Sequence, residues 1–137
     1  MKISKELNIP AAYFYHKLVE SVLHDVSKST GEVINESNLE NCEYVKEFPG
    51  KQYAKIKINQ LVPNQSYSYS TSTTKNDFTA SYKIESLSDT MCVVAYEEEM
   101  ISHGTLQKLN DSLFRFILGK FKKKRFMKML EQVESSY

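Results

Sequence analysis

Turn-forming residues divide positions 42–101 into five segments joined with almost no chain to spare. Pro49-Gly50 separates 42–48 from 51–61, Pro63-Asn64 separates that segment from 66–74, Lys75-Asn76-Asp77 precedes 78–87, and Ser88-Asp89 precedes 91–101. Connections this short cannot carry a crossover to the far end of a sheet, so adjacent segments must pair antiparallel, as a five-stranded meander. Inside the segments, apolar and polar residues alternate with the period of two that a half-buried strand imposes. Ala54, Ile56 and Ile58 oppose Lys55, Lys57 and Asn59, while Phe78, Ala80, Tyr82 and Ile84 oppose Thr79, Ser81, Lys83 and Glu85. Tyr67, Tyr69, Thr71 and Thr73 alternate with Ser66, Ser68, Ser70 and Ser72, so this compositionally biased run also reads as a strand, with its serines turned to solvent.

The flanks follow different periods. Ile3, Leu7 and Ile9 occupy odd positions among polar residues, which predicts a first strand. Pro10 ends it and suits the first turn of a helix, where its missing N–H costs nothing. Ala11, Phe14, Tyr15, Leu18, Val22 and Val26 then recur at helical spacing, and Gly31 is the expected stop. Positions 32–41 are polar, with at most a short helical turn expected. From Thr105 to about Ser135 the spacing is helical again. Leu106, Leu109, Leu113, Phe116 and Ile117 form one stripe, whereas Phe126, Leu130 and Val133 fall about a third of a turn away. A bend near Gly119 would let both stripes face one core.

At 137 residues, with 41% hydrophobic and 26% charged residues, the chain suits one globular domain spanning 1–137. A net charge of +1 commits it neither to nucleic acid nor to membrane. Cys42 and Cys92 stand far apart, without the spacing of a disulfide framework or zinc site. The opening Met-Lys-Ile-Ser-Lys-Glu has no apolar run behind it, so no signal peptide is expected, and no stretch approaches the ~20 apolar residues of a membrane span. The expected location is the cytoplasm.

Strand, helix, antiparallel meander and long C-terminal helix, in that order, resemble the START-like superfamily with its helix-grip fold. The local signature is the first strand running into Ile9-Pro10-Ala11-Ala12-Tyr13-Phe14. The whole chain also resembles a small uncharacterised bacterial family known as a domain of unknown function. The similar segments are Ser72-Thr73-Thr74, His103-Gly104-Thr105-Leu106-Gln107-Lys108-Leu109-Asn110 and Ile117-Leu118-Gly119-Lys120-Phe121-Lys122-Lys123. The resemblance implies an α+β fold, a curved antiparallel sheet of about six strands wrapped around the C-terminal helix. It further implies an apolar cavity between sheet and helix. It supplies no catalytic residue and calls for no cofactor.

Several constellations carry two readings. His16, Glu20 and His24 share one helical face, as a metal clamp would require, but that face lies opposite the apolar stripe, so no metal is expected there. Glu97, Glu98 and Glu99 are consecutive, and period two divides them between faces. Either Val94, Tyr96, Glu98 and Met100 or Val93, Ala95, Glu97 and Glu99 look inward, and an inward carboxylate near Tyr67, Tyr69 or Tyr82 could serve acid–base chemistry or simply be hydrated at a cavity mouth. The basic run Lys120, Lys122, Lys123, Lys124, Arg125 and Lys128 could meet an anionic surface, though such a run more often forms a solvated helix face. Without Trp, a nucleic-acid motif or overall basic charge, nucleic-acid binding is not expected.

Nine tyrosines are unusual for this length, and Tyr67, Tyr69, Tyr82 and Tyr96 fall on neighbouring strands. If they share the concave face, it is apolar but lined with hydroxyls, which suits either an amphipathic ligand or cross-strand aromatic pairing. The candidate cavity residues are Ile56, Ile58, Tyr67, Tyr69, Phe78, Tyr82, Tyr96, Glu98, Leu109, Leu113, Phe116 and Ile117. Three functions remain open: a module that binds a small apolar or amphipathic molecule, an enzyme using the same cavity, and an interaction protein with a filled core. The first is favoured because nothing assembles a nucleophile, a base and an orienting group.

Overall fold

The computed structural model describes residues 1–74, 76–102 and 122–137. In chain order these form β1 (Lys2–Leu7), α1 (Ala11–Thr30), a 3-10 turn (Glu36–Asn38), β2 (Glu43–Phe48), β3 (Gln52–Val62), β4 (Ser66–Ser72), β5 (Asn76–Ser88), β6 (Met91–Ser102) and α2 (Lys122–Ser135). The strands make one six-stranded antiparallel sheet in the order β1-β6-β5-β4-β3-β2. β1 therefore adds to the meander at β6, with Ile3 opposite Tyr96 and Leu7 opposite Cys92. The sheet is curved, and its pairing slips at Ile58/Gln60 and again at Ser86/Ser88. Each slip inserts a residue on one side of the ladder, which bends the strand and raises its twist.

The meander has its expected limits to within two residues. β4 stops at Ser72 and β5 starts at Asn76, because Thr73 N–H donates to the Asn76 carbonyl at 2.9 Å and ties the turn one step outside the ladder. The inner face carries Ala54, Ile56, Ile58, Phe78, Ala80, Tyr82, Ile84, Val94 and Tyr96, all buried. Ser66, Ser68 and Ser70 sit on the other face and are half-buried rather than fully solvated; Ser70 Oγ takes a hydrogen bond from Asn59 Nδ2 at 2.6 Å.

Pro10 is extended (φ −63°, ψ 147°) and acts as the cap of α1, its carbonyl receiving Tyr13 N–H at 3.1 Å and Phe14 N–H at 3.2 Å. Gly31 closes the helix in the left-handed region (φ 77°), its N–H donating to the Ser27 carbonyl at 2.8 Å. The buried stripe is Ala11, Phe14, Tyr15, Val19, Val22 and Val26. Val19 takes the place expected for Leu18, which is half-buried. The helix packs on β2, β5 and β6, and α2 packs on β1 and α1.

On α2, Phe126 and Leu130 are buried and Val133 is half-buried, so the second apolar stripe does face the core. The stripe from Leu106 to Ile117 and the bend near Gly119 lie outside the described residues. Polar contacts dock the helix: Glu134 accepts from Asn8 N–H at 2.7 Å, Glu131 meets Lys5 at 3.3 Å, and the Tyr13 and Ser136 hydroxyls are 2.7 Å apart. Leu130 is fully buried, so Leu130→Ala is expected to cost about 2–5 kcal/mol, measurable as a lower denaturant midpoint. An unchanged midpoint would show that α2 contributes little to the core.

Candidate functional site

The ladder lays the inward side chains out in rows. Tyr67 pairs with Tyr82, which pairs with Tyr96. One row over, Ile58, Tyr69, Ala80 and Glu98 stand opposite one another, and beyond them Tyr44, Ile56, Thr71, Phe78 and Met100. Five of the nine tyrosines, Tyr44, Tyr67, Tyr69, Tyr82 and Tyr96, thus converge on one curved surface, as period two requires. Their rings are in contact: Tyr67 lies 5.5 Å from Tyr69 and 5.6 Å from Tyr82, at interplanar angles of 27° and 19°. Tyr82 continues to Tyr96 at 4.8 Å, and Tyr96 stacks on Phe126 of α2 at 4.2 Å. Phe14 of α1 approaches Tyr82 at 6.4 Å.

Phe126 covers the β6 end of this array. Toward β2, a cavity of about 320 Å³ remains between α1 and the sheet. Its apolar wall is Leu18, Val22, Ile56, Tyr67, Tyr69, Phe78 and Tyr82, with Thr71 among them and Ser21, His24, Asp25, Tyr44, Lys46 and Phe48 completing the lining. A larger hollow of about 1070 Å³ borders the start of α1 and the β4–β5 side of the sheet. Many of its lining residues, including Asn64, Gln65, Glu85 and Asp89, are exposed, so it is an open groove and a poorer place for a ligand than the aromatic cavity.

Asp25 organises the cavity mouth. Tyr44 donates to its Oδ2 at 2.5 Å and Lys46 Nζ lies 2.8 Å from its Oδ1, fastening α1 to the edge strand β2. Deeper along the sheet, Glu98 is only 8% exposed and accepts the Tyr96 hydroxyl at 2.5 Å. This resolves the glutamate run: Glu98 faces inward, whereas Glu97 faces out and pairs with Lys2 at 3.5 Å. Burial pushes the Tyr44, Tyr67, Tyr82 and Tyr96 hydroxyls well above their ordinary range, and Asp25 and Glu98 reinforce this at Tyr44 and Tyr96. Burial raises Tyr69 to about 12, helped by the Glu98 charge and opposed by a hydrogen bond with Tyr96. At neutral pH these hydroxyls are protonated and act as neutral hydrogen-bonding groups.

Of the expected cavity residues, Ile56, Tyr67, Tyr69, Phe78 and Tyr82 line the cavity. Ile58 is buried in the adjoining core, and Tyr96 and Glu98 lie further along the rows, outside the lining. Leu109, Leu113, Phe116 and Ile117 fall outside the described residues. The helical wall that is described is α1, not the C-terminal helix. Alternation in β2, where Lys46 stands opposite buried Ala54, is the signal that could have found Lys46. Asp25 next to buried Val26 offered none, since its role depends on β2 crossing the helix there.

His24 reaches the cavity rim, while His16 and Glu20 are exposed and 3.2 Å apart. Lys123, Lys124, Arg125 and Lys128 are exposed on α2. Among the described residues, no helix is long and apolar enough to cross a membrane.

The family described as Domain of unknown function (DUF3284) matches residues 1–119. Among solved structures, norcoclaurine synthase from Thalictrum flavum superposes with a TM-score of 0.65 at 10% identity, over 98% of this chain and 83% of its own. The Zhui aromatase/cyclase from Streptomyces sp. R1128 gives 0.64 at 10% identity, over 99% of this chain and 91% of its own. A START superfamily protein from Mycobacterium smegmatis gives 0.59 at 9% identity, over 100% of this chain and 98% of its own. No curated protein matches the chain. At such identities the likeness establishes the START-like, helix-grip fold and nothing about chemistry.

The raised tyrosines link stability to alkaline pH. A group whose folded pKa lies above its unfolded value contributes stability below the unfolded value and loses it as pH rises through the folded one. For Tyr69 that window runs from 10.0 to about 12. The unfolding midpoint should fall across this range as tyrosinate absorbance appears, and Tyr69→Phe should flatten part of the fall. A midpoint unchanged across the window would contradict the burial of these hydroxyls.

Proposed function

The chain belongs to the family described as Domain of unknown function (DUF3284), and from that premise we propose that it is a binding domain for a small apolar or amphipathic molecule. The observation that carries this reading is the cavity of about 320 Å³ between α1 and the tyrosine rows. Its volume lies at the low end of the ~300–1,000 Å³ range of small-molecule sites, and its mixture of apolar wall and a few polar groups is typical of them. The START-like fold is consistent with the same role.

An enzyme working in this cavity is the second reading, supported by the buried Tyr96–Glu98 pair. It is weaker because neither residue lines the cavity, and the lining acid, Asp25, is engaged by Tyr44 and Lys46. Contact of the α2 lysines with an anionic surface rests on their exposure alone.

Native mass spectrometry of the purified protein, together with titration of an environment-sensitive fluorescent lipid probe, tests the binding reading. Saturable uptake is expected, at about one probe per chain. Tyr69→Ala should change the probe affinity at least about tenfold while leaving far-ultraviolet circular dichroism intact. No uptake of any probe and no copurifying molecule would favour the interaction-protein reading.

A further inference from the structure

Within the proposed binding role, on which this inference rests, three features of the cavity narrow the ligand. First, Tyr69, Tyr67 and Tyr82 form a nearly parallel series, tilted by 27° and 19° from ring to ring. A flat ring entering beside them can continue the offset stacking that aromatic pairs prefer, which a flexible chain cannot do.

Second, the hydroxyls of Tyr67 and Tyr82 make no hydrogen bond among the described residues, although Tyr67 is only 7% exposed and Tyr82 8%. They also differ from the Tyr15 hydroxyl, which is buried without a hydrogen-bond partner among the described residues. Both oxygens therefore open on the cavity, where water or a ligand can meet them, and leaving them without either is unfavourable. A pure hydrocarbon would expel the water and replace none of its hydrogen bonds. A ring carrying an oxygen restores one.

Third, the charges at the mouth are engaged with one another. Asp25 is held by Lys46 at 2.8 Å and by Tyr44 at 2.5 Å, and the inner wall, made of Ile56, Tyr67, Tyr69, Thr71, Phe78 and Tyr82, carries no ionic side chain. An ionic group pushed into that wall would lose its hydration without gaining an opposite charge.

We infer that the cavity selects a compact, uncharged ring compound bearing a hydroxyl or carbonyl oxygen, with the ring stacked on the Tyr67–Tyr69–Tyr82 series and the oxygen accepting the Tyr67 hydroxyl. Protonated at neutral pH, Tyr67 is available as that donor.

The test is a calorimetric titration of the whole chain with naphthol, naphthalene and decanol. Naphthol and naphthalene differ by the oxygen, and naphthol and decanol differ by the ring. Naphthol is expected to bind about tenfold more tightly than naphthalene, the ratio that one net hydrogen bond supplies. Tyr67→Phe, which preserves the ring, should abolish that ratio, in part by tightening naphthalene binding, because no hydroxyl is then left without a partner. Equal affinities for naphthol and naphthalene in the unaltered protein, tighter binding of decanol than of naphthol, or a naphthol preference that survives in both Tyr67→Phe and the Tyr67→Phe/Tyr82→Phe double variant would overturn the ligand class while leaving the cavity as a binding site. Failure of all three compounds to bind would overturn both the class and the binding role.

Discussion

The antiparallel register of β4, β5 and β6 sets Tyr67, Tyr82 and Tyr96 opposite one another and keeps Tyr69 beside them. A slip of one residue in β4 would turn Tyr67 and Tyr69 to the outer face and bring Ser66, Ser68 and Ser70 inward. The two outcomes differ by two aromatic burials, each contributing a few kcal/mol, so the serine–tyrosine alternation itself enforces the register. The short turns act in the same direction by fixing which residues can meet. The sheet's inner chemistry thus follows from one backbone constraint, and the helices must accommodate the face that results.

Among the described residues that face is unevenly covered. At the β6 end, Phe126 stacks on Tyr96 and Leu130 is fully buried, so α2 fills the space with carbon. Toward β2, α1 offers the smaller Val22 and the half-buried Leu18 beside Asp25, and a cavity is left. The Asp25–Tyr44–Lys46 cluster has a mechanical consequence there. It joins α1 to β2 at the edge of the sheet, where a strand has only one neighbour to hold it. Charge-assisted hydrogen bonds of this kind are stronger than neutral ones, and a partly buried setting screens them less. The cluster thereby pins α1 to β2 beside the cavity.

Much of this arrangement was legible in the sequence wherever one local rule decided the outcome. Turn pairs and period two located every strand of the meander, and Pro10 and Gly31 marked the ends of α1, because each rule acts over a few residues. The failures came where two elements had to meet. Leu18 and Val19 both suit the buried stripe of a helix, and only the direction from which β2 and β5 approach decides between them. For Glu98, alternation reduced the problem to two faces, and the pairing of β6 with both β1 and β5 settled it. Asp25 and Lys46 are twenty-one positions apart and belong to elements of different period, so neither pattern announces their contact.

The preference for tyrosine over phenylalanine in these rows is the remaining physical question. Phenylalanine would supply the same ring area and stacking without a hydroxyl to desolvate, so a wall made for stability alone has no use for tyrosine. At two positions the structure shows where the added oxygen is used: Tyr44 donates to Asp25 and Tyr96 to Glu98, each meeting a carboxylate. At Tyr67 and Tyr82 no such partner exists among the described residues, yet both rings border the cavity. The hydroxyls therefore divide into a pair that meets the protein's own acids and a pair that meets none among the described residues. Under the proposed binding role, the second pair is what a ligand's oxygen would meet.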